Sequence, residues 1–122
     1  MYSEKHVSVL LQRIEDAILL IEDQTKHIKC GNDFLTSPSG TFALGGVCMQ
    51  LIFIGENVKV LSVKASDVLQ RQSEIPWNEI TGLRNIIVHE YHHVDADEIY
   101  NVIKNDLPPL LDAVRNLLKH NG

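Results

Sequence analysis

From Thr41 to Ser62 the chain reads TFALGGVCMQLIFIGENVKVLS, and its apolar residues refuse to line up in one stripe. Phe42, Leu44, Val47, Met49, Leu51, Ile52, Phe53, Ile54, Val58 and Leu61 fall on all sides of a helix. A helix that is apolar all round is buried on more than one side. In a chain of 122 residues, the size of one ordinary domain, such a helix sits at the centre of a bundle or at a subunit interface. The expectation is core on one face and dimer interface on another. Gly45 and Gly46 would let another backbone approach closely, at some cost in helix propensity. The most apolar part, Thr41 to Ile54, falls short of the roughly 20 residues a membrane span needs, so no membrane partner is expected.

The flanking segments read as further helices. Val7, Leu10, Leu11, Ile14, Ala17, Ile18 and Ile21 recur at helical spacing with charges between them. That is an amphipathic helix of about 25 residues with Ser3 as N-cap. Cys30-Gly31-Asn32 reads as its stop, and Asp33 to Gly40 as a connecting loop. Ser62 to Glu74 either extends the second helix or is a loop. Pro76 suits the first turn of a third helix carrying Trp77, Ile80, Leu83, Ile87 and Val88. This helix should fray near Glu90 to His93. Asp95 or Asp97 caps a fourth helix, which Pro108-Pro109 must kink or break. Leu110 to Leu118 carry the apolar stripe onward. With no strand alternation and no repeat, residues 1–122 are expected to form a single all-α domain, an antiparallel four- to five-helix bundle.

Composition narrows the function classes. Two cysteines, Cys30 and Cys48, make no disulfide framework and suit a reducing compartment. The N-terminus shows no leader pattern, so a cytoplasmic protein is expected. A formal net charge of −5 argues against general nucleic-acid binding but not against a small basic site.

The stretch RNIIVHEYHH, residues 84 to 93, concentrates the chemistry. Arg84 and His89 are five apart, about 140° around a helix and about 7.5 Å along it. Asn85 and His89 share a face. Slight unwinding near His89 would let all three converge. Histidine exchanges protons near neutral pH. Arginine offers a fork matched to phosphate oxygens. Together they suit attack on a phosphodiester, with Asn85 orienting phosphate or imidazole. Tyr91 follows at the helix end, either exposed or partly buried. On spacing alone this pattern is weak, and a polar helix end explains it as well.

A metal site is the rival reading, since His89, Glu90, His92, His93, Asp95 and Asp97 cluster in sequence. Neither an HExxH motif nor a second paired group accompanies them, and a solvated turn explains His92 and His93 more simply. No metal and no cofactor is therefore expected. His6, His27 and His120 read as isolated surface residues. Cys48 reads as a small core residue rather than a nucleophile.

"GLRNIIVHEY", an acidic helix, then "IKNDLPPLLDAV" resemble the HepT-like family of HEPN-domain proteins. "QLIFIGENVKVLS" resembles that family's central helix, and "IPWNEITGLRN" its lead-in to the motif. The resemblance covers most of the chain in order and length. It implies a homodimeric HEPN-like bundle acting as the toxin of a toxin–antitoxin module, a metal-independent endoribonuclease. Arg84 and His89 would be the catalytic pair and Asn85 the polar position after the arginine. Tyr91 would take AMP from ATP through a minimal nucleotidyltransferase antitoxin. The alternative is a non-catalytic helical module that binds the nucleotidyltransferase and nucleotides or RNA.

Overall fold

In the computed structural model the described residues are 3–89 and 94–120, and the side chains of Ile86 and His89 lie outside the description. Helix α1 (Glu4–Gln24) starts where Ser3 accepts a hydrogen bond from the His6 amide through its side chain. His6 returns to the Ser3 hydroxyl through its ring Nδ1 at 2.9 Å, so it is exposed but not isolated. The seven apolar residues expected on one stripe, Val7 to Ile21, are all buried. The helix ends sooner than expected. Thr25 is buried and its hydroxyl donates to the Ile21 carbonyl at 2.7 Å, closing the last turn.

Gly31 does not stop that helix. It opens a short 3-10 turn, Gly31–Phe34. A Cβ on Gly31 would lie 2.6 Å from the backbone of Asp97, so the glycine admits the start of the fifth helix. Helix α2 (Pro38–Lys64) begins three residues before the expected Thr41. Ser37 caps it by accepting from the Gly40 amide at 2.9 Å, and Pro38 occupies the first turn, where a missing N–H costs nothing. At 27 residues α2 is longer than the apolar run suggested, and long and apolar enough to cross a bilayer by those measures alone. In this fold it is a packing element: Val47, Leu51, Ile54, Val58 and Leu61 are buried, and it contacts both α1 and α4. Asn57, buried among them, donates to the Phe53 carbonyl at 2.8 Å, which satisfies its amide where water cannot.

The polar segment after α2 is neither a simple extension nor an open loop. It holds a five-residue helix, α3 (Ser66–Gln70), then turns. Trp77 heads α4 (Trp77–His89) and is buried. Its indole N–H reaches the carbonyls of Leu69 and Gln72, each at 3.1 Å, and so pins the start of α4 to the α3 turn. Asp95, not Asp97, caps α5 (Ala96–Asn101), accepting from the Asp97 amide at 2.9 Å.

The prolines do not break the last helix. A wide π-type turn, Val102–Asp106, joins α5 to α6 (Leu107–His120), and the Leu107 amide donates to the Val102 carbonyl. Pro108 and Pro109 then fall in the first turn of α6. A proline clashes with the carbonyl four residues back in a regular helix. The wide turn takes the Lys104 and Asn105 carbonyls out of that register. Arg115 on α6 pairs with Glu15 on α1 at 2.8 Å. Helices α1, α2, α4 and the α5–α6 rod thus form an all-α bundle around one apolar cluster running from Val7 to Leu117. No strand occurs among the described residues.

Candidate active site

The site begins with a close approach. A Cβ on Gly55 of α2 would stand 3.2 Å from the Ile80 carbonyl oxygen and 3.5 Å from the Arg84 Cβ. The glycine therefore sets the distance between the α2 and α4 backbones. The next residue, Glu56, pairs its Oε1 with Nε of Arg84. On the other side, Nη1 of Arg84 donates to Oδ1 of Asn85 at 3.2 Å. Both partners of the ion pair are accessible, Arg84 at 41% and Glu56 at 47%, and Asn85 is exposed. Among the described residues the remaining guanidinium donors have no partner. The result is a positive fork, braced from two sides, at the surface.

Arg84 and Asn85 are thus together. His89 is the last residue of α4, which is continuous up to it, so no unwinding precedes it. The His89 side chain lies outside the described residues, so its convergence with Arg84 stays an expectation. Tyr91, together with Glu90, His92 and His93, lies outside the described residues. Of the ligand types grouped with them, Asp95 is occupied in capping α5 and Asp97 is exposed.

Glu56 is the residue that reading the sequence missed. It is the only charged residue between Thr41 and Val58, and a lone carboxylate in so apolar a helix was the available signal. Around it runs a second apolar face. Phe42, Met49, Phe53, Val60 and Val63 are exposed, Phe42 at 86% and Met49 at 63%. With Gly46 and Glu56 these positions alternate steps of four and three, the spacing of a helix seam that meets another helix. A groove of about 930 Å³, lined by Phe42, Gly45, Gly46, Met49, Ile52 and Ile87 among others, opens on the same side. Among the described residues nothing outside their own helix turn comes within 4 Å of where Cβ atoms on Gly45 or Gly46 would lie. Cys48 is buried, and burial pushes its thiol pKa up, as suits an inert core residue.

An all-α bundle with a braced, accessible arginine on α4 is the class that fold and site define. Residues 14–117 match the family model described as Ribonuclease HepT-like. The chain belongs to the HepT-like ribonuclease family. Among its relatives is "Gamma-glutamylcyclotransferase and putative RNase" of Methanocaldococcus jannaschii, 31% identical over 115 residues. That alignment takes in 94% of this chain but 49% of the relative, so the chain spans about half that protein's length. A second relative, "Probable ribonuclease HepT" of Thermococcus cleftensis, is 35% identical over 109 residues, covering 89% of this chain and 93% of the relative. No solved structure matches the chain.

Proposed function

We propose that this chain is a single-domain cytoplasmic endoribonuclease, the toxin of a toxin–antitoxin module, that cuts RNA without a metal ion. The observation that carries the proposal is the braced, accessible Arg84 on the helix that ends in His89, in a chain of the HepT-like family. The imidazole of His89 takes the proton of a ribose 2′-hydroxyl. The 2′-oxygen then bonds to the adjacent phosphorus, and the bond to the 5′-oxygen breaks. A proton returns to that leaving oxygen, giving a 2′,3′-cyclic phosphate and a 5′-hydroxyl. Arg84 stabilises the charge building on the phosphoryl oxygens, the part of the reaction in which a fixed donor contributes most. Asn85 holds the guanidinium and can orient the phosphate.

The second face of α2 brings two such sites together in a homodimer. The exposed seam of Phe42, Met49, Phe53, Val60 and Val63 supports this, because a two-fold interface uses the same patch on both chains. Two clustered arginines would also give RNA a basic cleft that the net charge of −5 conceals. A minimal nucleotidyltransferase antitoxin silences the site by moving AMP from ATP to the Tyr91 oxygen, with pyrophosphate leaving. The added negative charge, two residues from His89, repels RNA phosphate.

The test is RNA cleavage in EDTA by protein free of antitoxin and AMP. The parent should cut, and Arg84→Ala and His89→Ala should each lose about 10²–10³-fold or more in rate while keeping the parent's mass in solution. Cleavage by both variants at the parent's rate would overturn the assignment. With antitoxin and ATP, Tyr91 should gain the mass of AMP and Tyr91→Phe should not. Addition at Tyr2 or Tyr100 instead would refute that mapping.

A further inference from the structure

We propose that Glu56 is a positioning residue for the ribonuclease reaction, orienting the Arg84 guanidinium toward the scissile phosphate; this rests on the function proposed above. A charge within an apolar seam is unfavourable unless a partner compensates it. Glu56 sits between Phe53 and Val60 on the exposed face of α2, and its partner is Nε of Arg84. The pairing consumes the donor nearest the arginine's aliphatic stem. Among the described residues Nη2 then has no partner, and Nη1 is steadied by Asn85. A guanidinium is a rigid plane, so fixing Nε on one side and Nη1 on another sets that plane and leaves the terminal edge for phosphate oxygens. Gly55 supplies the required distance between α2 and α4, since a Cβ there would press on the Ile80 carbonyl. The carboxylate does not touch RNA. It repels phosphate weakly by its charge and acts through Arg84, so its effect belongs in the transition state rather than in substrate affinity.

The experiment is single-turnover and steady-state RNA cleavage in EDTA by the parent, Glu56→Gln, Glu56→Ala, Arg84→Ala and the Glu56→Ala/Arg84→Ala pair. Loss of a supporting shell residue typically costs about 10–100-fold. That range is expected in kcat for Glu56→Ala, with KM unchanged or lower. Glu56→Gln, which keeps the shape and one acceptor, should recover part of the loss. In the Arg84→Ala background, Glu56→Ala should cost nothing further, because its only route to the reaction has been removed. If Glu56→Ala is poorly folded, Glu56→Gln carries the same comparison. Side-chain NMR gives an independent readout: the Arg84 Nε–H signal should be protected in the parent, partly protected in Glu56→Gln and unprotected in Glu56→Ala. A parent that cuts RNA alongside a Glu56→Ala that cuts equally fast overturns the inference alone. So does a loss confined to KM, or losses that multiply in the double variant. A parent that cuts no RNA overturns the underlying function and this role with it.

Discussion

Helix α2 has two apolar faces with opposite fates. The inner face, Val47, Leu51, Ile54, Val58 and Leu61, is fully covered by its own chain. The outer face, Phe42, Met49, Phe53, Val60 and Val63, is left to solvent. Hydrophobicity alone cannot assign such faces, because both are driven from water by the same physics. What separates them is the neighbour. The inner face packs against α1 and α4, with Gly55 setting the approach to α4, whereas on the outer face Phe42, Met49, Phe53, Val60 and Val63 stay exposed and Glu56 reaches Arg84. This exposed seam is the surface proposed above to join two chains, and Glu56 within it reaches Arg84.

The sharpest way to break this contrast is the same substitution on each face. Leu51→Glu buries an unpaired charge, which costs about 3–5 kcal/mol or more; the chain should lose its cooperative melt by circular dichroism. Met49→Glu, two residues away, should keep a cooperative melt but sediment as one chain. Equal behaviour of the two variants would erase the distinction between the faces. A milder pair follows. Leu51→Ala should lower unfolding stability by about 2–5 kcal/mol through transfer and cavity costs. Met49→Ala should stay within about 0.5 kcal/mol in the isolated chain, read by urea denaturation below the dissociation concentration of the proposed dimer.

At the boundary between the faces, Gly55→Val forces methyls toward the Ile80 carbonyl. Overpacking of this kind costs about 1–3 kcal/mol, and the displaced α4 should slow RNA cleavage more than it lowers the melting temperature. The smallest effect concerns thiols. Exposed Cys30 should react with a disulfide reagent in the native protein and buried Cys48 only on unfolding. The raised Cys48 pKa also fixes a sign. Above its ordinary value of 9.0 the unfolded chain binds fewer protons than the folded one, so stability falls as pH rises until the folded thiol ionises. Below that value this group leaves stability flat, which a melting series across pH 7 to 10 checks.

Much of this was legible in the chain. The single stripe of α1 and its Ser3 cap follow from periodicity and local chemistry, because each needs only residues three or four apart. The two-sided character of α2 was legible too, but not which side is core, since that depends on what packs there. Arg84 and Asn85 could be placed on one helix from spacing. Glu56 could not be joined to them, because the contact spans two helices and is set by the backbone approach at Gly55. Gly31 read as a helix stop for the same reason: its actual constraint is Asp97, which lies far along the chain. The Pro108-Pro109 pair was rightly seen as incompatible with a regular helix, yet a π-type turn before it keeps the chain helical, a solution that residue type alone does not reveal.

In the proposed homodimer the outer face of α2 joins two chains and thereby assembles the RNA-cutting cleft. Sedimentation and RNA cleavage in EDTA, run on the same samples of the parent and Phe53→Glu, test it most directly. The parent should have two-chain mass and cut RNA, and a folded Phe53→Glu should have one-chain mass and not cut it. A folded, single-chain Phe53→Glu cutting at the parent's rate would contradict it.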